Sequence, residues 1–466
     1  MTNIALVKFW EKCKNPPTRL FIAVMLFLAC LVAYMTRVNF SILIVAMVKS
    51  TNPNITAPDY GPRFDWSQQD QSLLLGAYFW GYMITSLMGG ILAAVFGGRN
   101  LVAGCLILSG ILTSFTPYLA IWNFWSVIVV RFILGLFGGP LYPGFHDLIS
   151  KWAPPDEKGK FVSALMGGTF GTVVTWPLCG LMTESLGYTW SFHMTAIICA
   201  IVGVIFLIVV ADRPEKHKHI TETEREYIVN SLKENVTKQS KFPPLKHALM
   251  SLPFWALLVL HYGNMWGLFF LLTAAPKFMA EVLGFKLTQA GFLSSLPYLA
   301  RLISAFIFGQ IGDTIRRKSW MSVTFMRKFF CIFSHIIPGG LLMVMAFGGR
   351  TAAVCVALMT LSLGFNGAAT LTNLANSQDL APNYAGSLYG IINFVGTTPG
   401  FFSPMIVAYF TQDQNTIDEW MWVFITGAVV YVIPSLFFMI FGSGMVQYWN
   451  DMLKSEVKKE DPEKTS

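Results

Sequence analysis

Apolar runs of about twenty residues recur along the whole chain, and no other feature restricts its fold so severely. Each is long enough to cross a hydrocarbon core roughly 30 Å thick as a helix. In lipid every backbone N–H and C=O must find its partner inside the protein, which leaves helices or closed barrels. The runs are continuous instead of alternating with period two, so a barrel is excluded. Composition agrees: of 466 residues, 54% are hydrophobic and 12% charged, and the mean hydropathy is +0.55. A soluble domain carries about 25% charge. The expected fold class is an all-α polytopic membrane protein.

Twelve spans are expected, at roughly 20–48, 71–96, 100–119, 122–150, 160–183 and 190–211, then 252–279, 288–312, 329–348, 351–377, 384–410 and 420–446. The implied order is a tail at 1–19, a six-helix bundle at 20–211, a linker at 212–251, a second six-helix bundle at 252–446 and a tail at 447–466. The linker carries both signs of charge, and Thr221-Glu222-Thr223-Glu224 reads as a helix start. It is expected to be a solvated amphipathic connector. The charged residues before the first span lead into an apolar run too long for a signal peptide, so no cleavable leader is expected.

Lys and Arg fall mostly on one side. With the N-terminus inside, 25 of the 33 basic residues are cytoplasmic, and Lys49, Arg63, Lys277, Lys286 and Arg350 face outward. Positive charge marks the cytoplasmic side. Both termini are therefore expected there, and the net charge of +8 reflects this bias, not nucleic-acid binding. Asn54-Ile55-Thr56 then lies in the first outer loop as a glycosylation acceptor. Asn39-Phe40-Ser41 is inside the first span and Asn235-Val236-Thr237 in the linker, so neither should be modified. Six of the seven cysteines lie in apolar runs, none at metal-ligand spacing, and read as small apolar side chains.

An internal repeat relates the halves. Gly89-Gly90 through Gly97-Gly98-Arg99 ends the second span, and Gly309-Gln310-Ile311-Gly312-Asp313-Thr314-Ile315-Arg316-Arg317 ends the eighth. Each is a glycine at a helix end, a tight turn and basic residues at the headgroups. Parallel six-helix halves of this kind resemble the major facilitator superfamily, with substrate bound near the midplane between them. The second copy matches that superfamily's loop motif, G-x-x-x-D-x-x-R-R. Asp313 is expected to accept bonds from helix N-termini and from Arg316 or Arg317, which makes these three gating candidates. Ala94 stands where the first copy would have its aspartate, so that lock should be weaker.

Three arginines lie inside spans: Arg37 in the first, Arg131 in the fourth and Arg301 in the eighth. Acidic residues keep to loops, tails and span ends, Asp147 coming nearest to an exception. An arginine at membrane depth costs at least about 2.5 kcal/mol. An aqueous cavity that receives an anion compensates that cost, and the guanidinium fork suits carboxylate or phosphate. Bonds to backbone carbonyls, or snorkelling, are the structural alternative. Tyr78 and Tyr298 offer hydroxyls and Asn264 an amide, completing the expected substrate-binding set. His146, in the inner half of span four, is a titratable candidate for gating or coupling. No nucleophile–base pair, metal cluster or phosphate-cradling loop is evident, so neither an enzyme nor a resident cofactor is expected.

Five stretches carry a more specific resemblance: Arg37-Val38-Asn39-Phe40-Ser41, Phe79-Trp80-Gly81-Tyr82, Lys151-Trp152-Ala153-Pro154-Pro155-Asp156-Glu157, Gly291 through Tyr298, and Asp379-Leu380-Ala381-Pro382-Asn383-Tyr384-Ala385-Gly386. They are spread over nearly the whole length. The chain resembles the anion:cation symporter family of sialin, the vesicular glutamate transporters and the type I sodium–phosphate cotransporters. Its arrangement looks nearest to the insect members named for inorganic phosphate cotransport. The resemblance implies substrate-binding and gating roles for Arg37, Arg131 and His146. There are departures: the span-four glutamate that sialin and the glutamate transporters associate with proton coupling is Gly138 here, as the phosphate and organic-anion branch also lacks that glutamate, and a second sialin glutamate is Leu134. The glutamate transporters' span-two histidine is Leu75, and their span-seven arginine is Asn264.

The expected function is alternating-access transport of inorganic phosphate or a small organic anion by a plasma-membrane monomer that binds no nucleic acid. The family name implies Na+ as co-transported ion, while the lack of a membrane carboxylate leaves potential-driven movement open. The competing readings are a proton-coupled carrier of sialate-type acids and a non-transporting receptor on the same fold.

Overall fold

The computed structural model describes residues 17–49, 59–154, 157–233, 244–348, 351–413 and 415–451. Twelve helices among them are long and apolar enough to cross a membrane. They are α1 (Thr18–Met47), α2 (Gln68–Phe96), α3 (Gly98–Trp122), α4 (Phe124–Trp152), α5 (Gly159–Leu186) and α6 (Tyr188–Val209). After the linker come α7 (Leu252–Val282), α8 (Leu287–Arg317), α9 (Val323–Gly348), α10 (Ala352–Leu380), α11 (Ser387–Phe410) and α12 (Ile417–Phe441). Among the described residues there is no strand, only an isolated bridge between Val48 and Phe64 where the first loop returns to the bundle. Asn54 and most of both tails lie outside the described residues.

Every predicted span is present, but several run beyond their expected ends through charged residues. α1 begins ahead of Arg19, and α9 ahead of Arg327. A helix satisfies its own backbone whatever side chain it carries, so a charge ends a helix only when its side chain finds no partner. Elsewhere the ends follow capping chemistry. Asn123 accepts from the N–H of Trp125 at 3.0 Å to begin α4, and Ser322 accepts from Phe325 at 3.2 Å to begin α9.

Contacts group the chain into two compact units. Met1–Asn39, Trp80–Thr175 and Thr189–Thr237 form the first; Phe40–Phe79, Trp176–Tyr188 and Lys238–Ser466 form the second. In the first unit small residues let backbones approach closely, as expected where lipid supplies no hydrophobic drive between helices. A Cβ on Gly171 of α5 would run into the Leu31 carbonyl of α1, and one on Gly81 of α2 into the Phe132 carbonyl of α4. The linker is docked, not merely solvated. Glu224, on the linker helix Glu222–Lys233, accepts the backbone N–H groups of Thr18 and Arg19 at 2.9 and 3.1 Å. Arg19 bridges Glu157 and Glu224 at 2.7 and 3.1 Å.

In the second unit α7 ends in a π-turn at Phe278–Val282, and further departures from α-helical geometry lie in α9 and α10. α9 has a π-turn at Ile332–Ile336, and α10 tightens into a 3₁₀ stretch at Gly367–Leu371. Both displace carbonyls from the regular ladder, and polar side chains collect at both.

Candidate substrate and gating sites

In the first unit Arg37 is 6% exposed, with its guanidinium carbon 5.1 Å from the Tyr34 ring and 5.0 Å from the Tyr82 ring. Tyr34 lies one turn back on α1, where an i,i+3 neighbour belongs, and Tyr82 comes from α2. Tyr34 in turn meets Tyr142 of α4 edge-on at 6.5 Å. Gly168 of α5 leaves the Tyr34 ring its space, since a Cβ there would fall 2.7 Å from it. Four helices thus hold one cation against aromatic faces, an arrangement that favours positive charge. Arg131 is buried at 3% exposure on α4. On the same helix, beyond a break at Gly139-Pro140, His146 is exposed.

The second unit joins Arg301 to a chain of buried polar groups. Arg301 Nε donates to Asn366 Oδ1 at 3.0 Å. Asn366 Nδ2 donates to Asn264 Oδ1 at 3.0 Å and to the Ser334 carbonyl at 2.9 Å. That carbonyl belongs to the π-turn of α9. Ser334 Oγ lies 2.7 Å from His335 Nδ1, and His335 Nε2 lies 3.1 Å from the Leu260 carbonyl. A neighbouring pair links Asn373 to His261 Nδ1 at 2.9 Å. Both histidines are fully buried, and neither is among the residues expected from sequence to form the site. Their signal was available: each is a lone ionisable group in an apolar run.

Tyr298 is buried and donates its hydroxyl to the Leu268 carbonyl at 2.5 Å. Its ring meets Trp176 edge-on at 5.4 Å, and Trp176 Nε1 donates to Ser41 Oγ at 3.0 Å. Tyr78 is buried against Phe79. Asp313, Arg316 and Arg317 are all exposed and line one surface pocket with Gln310. The expected bond from Asp313 to either arginine is not formed: among the described residues no ion pair includes Asp313. All three side chains point into solvent, where holding two long chains in one geometry gains little.

A carboxylate from the segment after α6 stands at the first motif copy. Asp212, just past α6, accepts the Arg99 backbone N–H at 2.9 Å at the start of α3. Gly97, at φ +79, lies so near that a Cβ would sit 2.7 Å from an Asp212 oxygen. Asp212 thus supplies a carboxylate to the turn in whose motif Ala94 has none.

Lys277, expected to face outward, and Arg327, one of the charges assigned to the cytoplasmic side, are both buried. Lys277 is 5% exposed in α7. Arg327 of α9 is buried and pairs with Asp379 of α10 through Nε to Oδ2 at 2.7 Å and Nη2 to Oδ1 at 3.1 Å. Its Nη1 donates to the Leu371 carbonyl at 2.9 Å, in the 3₁₀ stretch.

Among the described residues, twelve membrane-length helices with cationic groups buried within them define a polytopic membrane protein. Residues 26–404 match the family model of the Major Facilitator Superfamily, and the chain belongs to that family. Sialin of Homo sapiens is 34% identical over 92% of this chain and 90% of its own length. A protein of Drosophila melanogaster named "Putative inorganic phosphate cotransporter" is 33% identical over 95% and 88%. Vesicular glutamate transporter 2 of Homo sapiens is 32% identical over 96% and 78%. These relatives are those of the anion:cation symporter group. A bacterial homologue of the human lysosomal transporter Spinster, solved inward-facing and unoccupied, superposes with a TM-score of 0.69 at 12% identity, over 91% of this chain and 97% of that one. At that identity the likeness shows the fold alone. The protein is a multi-pass membrane transporter and not an enzyme.

Proposed function

We propose that this transporter moves small anions, inorganic phosphate or an organic anion, by alternating access between two six-helix halves, 20–211 and 252–446, with Arg37 and Arg131 as anchors. One observation carries the reading. Among the described residues Arg37, Arg131 and Lys277 are buried on membrane-length helices and Arg327 is offset there by Asp379, whereas the buried acid, Glu224, belongs to the linker helix. A membrane interior with that imbalance is suited to an anion and hostile to a cation. Arg301, Tyr78, Asn264 and Tyr298 complete the substrate set, and His146, Asp313, Arg316 and Arg317 the gating set. Both termini are cytoplasmic in this reading, and the protein works as a plasma-membrane monomer coupled to Na+ or driven by the potential. The second reading is a proton-coupled carrier of sialate-type acids, favoured by the buried histidines of the second unit and by the likeness to sialin.

The test is uptake of labelled phosphate, glutamate, sialate and urate into proteoliposomes under a sodium gradient, a proton gradient or a potential alone. Phosphate or organic-anion flux driven by sodium or potential supports the first reading. Sialate flux driven only by protons selects the second, and no flux from folded, inserted protein leaves a receptor.

A further inference from the structure

We propose that Lys277, with Gln68 and Gln71, is a latch that holds the first-loop end of the transporter closed and breaks in every cycle. The idea rests on the alternating-access reading above and extends it to a gating residue that the reading does not contain. Lys277 Nζ donates to the side-chain oxygens of Gln68 and of Gln71, the latter at 2.5 Å. Those glutamines open α2, among the N-terminal six helices, whereas Lys277 lies near the end of α7, among the C-terminal six. Glu281 Oε2 stands 4.0 Å from the ammonium and accepts from Asn415 Nδ2 at 2.6 Å. Asn415 Oδ1 accepts from Trp420 Nε1 at 2.8 Å, so the acid is anchored to the start of α12. Further bonds at the same end join α2 to the segment after α11, from Gln69 to Gln412 at 3.0 Å, and α5 to α8, where Glu184 accepts the Thr288 N–H at 2.9 Å.

The chemistry of this joint differs from that of a permanent one. Arg327 and Asp379, both within the C-terminal six helices, form a two-pronged ion pair, the strong kind. Lys277 reaches across instead to two neutral amide oxygens, and its carboxylate stays at the limit of ion-pair distance. Such a contact satisfies a buried ammonium while the joint is closed, and water can replace both amide oxygens once it opens. Below it, toward the midplane, lies a small cavity lined by Lys277, Gln68, Gln71, Ser72 and Thr273. An anion arriving from the first-loop side would part α2 from α7 here, past exposed Lys49, and Lys277 is a buried cation on that way.

The experiment uses cells expressing the full chain with Thr273→Cys, one turn below the latch, and a membrane-impermeant thiosulfonate reagent. Six native cysteines are buried, and the parent without the added thiol sets the background. Asp59→Cys, exposed beside the first loop, reports which side that loop faces and therefore where the reagent is applied. Lys277→Met is expected to speed modification at Thr273→Cys by about tenfold, because a buried hydrogen-bonded charge no longer holds the closed state. Lys277→Arg, which can still donate to both amides, should stay near the parent. Should Lys277→Met not reach the membrane, Gln68→Leu with Gln71→Leu keeps the lysine and carries the same expectation. Equal modification rates in parent and latch variants, in cells whose parent shows uptake, overturn the latch and leave the carrier reading standing. A parent with no uptake of any anion removes the carrier reading itself, and the latch with it.

Discussion

At the scale of single residues the decisive cost is that of putting charge where lipid surrounds the protein. Arg37 meets it with two tyrosine faces, at 5.1 and 5.0 Å, and this placement could be anticipated from an arginine inside an apolar run. Lys277 and Arg327 were misjudged for the opposite reason: both lie near span ends, where a charge usually reaches water. Only the fold shows that one finds two glutamines from α2 and the other an aspartate from α10. If Arg37 anchors an anion, Arg37→Ala should lower uptake about thirtyfold or more at unchanged surface abundance, and Arg37→Lys should fall between, keeping charge but losing the fork. Uptake normalised to labelled surface protein checks this; full activity in the alanine variant would remove Arg37 from the site.

Among elements, the twelve spans were legible because length and apolarity alone define a membrane helix. Irregularities inside them were not. Nothing in Ile332–Ile336 or Gly367–Leu371 announces a π-turn or a 3₁₀ stretch, because both are set by what packs against them. Gly367 of α10 lies so close to the Arg301 carbonyl of α8 that a Cβ would stand 2.9 Å away, and the Leu371 carbonyl so released takes a bond from Arg327. The pair of α9 and α10 thereby depends on one buried ion pair. Asp379→Asn leaves Arg327 buried without its carboxylate, a loss of about 3–5 kcal/mol. The apparent melting temperature in detergent should drop by roughly 5 °C or more. The double substitution Arg327→Met with Asp379→Leu should recover most of it, since replacing both partners removes the buried charge altogether. An unchanged melting curve for Asp379→Asn would mean the pair contributes little.

For the whole molecule, class and family were accessible from spacing, charge bias and five matching stretches, whereas substrate is not written in any of them. Small anions share one recognition chemistry, a cationic fork with hydroxyls around it, so residue types at Arg37, Arg131 and Tyr298 do not separate phosphate from a carboxylate. Orientation is open to a direct check. With the termini cytoplasmic, endoglycosidase should shift the expressed protein's mobility, Asn54→Gln should abolish that shift, and Asn235→Gln should leave it intact. A glycan at Asn235 would invert the topology.

The bond from Glu224 to the start of α1 has a consequence for how the protein is made. The N–H groups of Thr18 and Arg19 are among the first of the membrane region to leave the ribosome, yet the carboxylate that receives them is 206 and 205 positions further on. Until six helices have been threaded into the bilayer, the leading helix has an unfinished end, kept in register by whatever the insertion machinery or the headgroups supply. Arrival of the linker helix then closes the first half of the protein, so a newborn chain truncated before Glu224 should be recognised as incomplete and degraded, although all six of its first helices are already in the membrane.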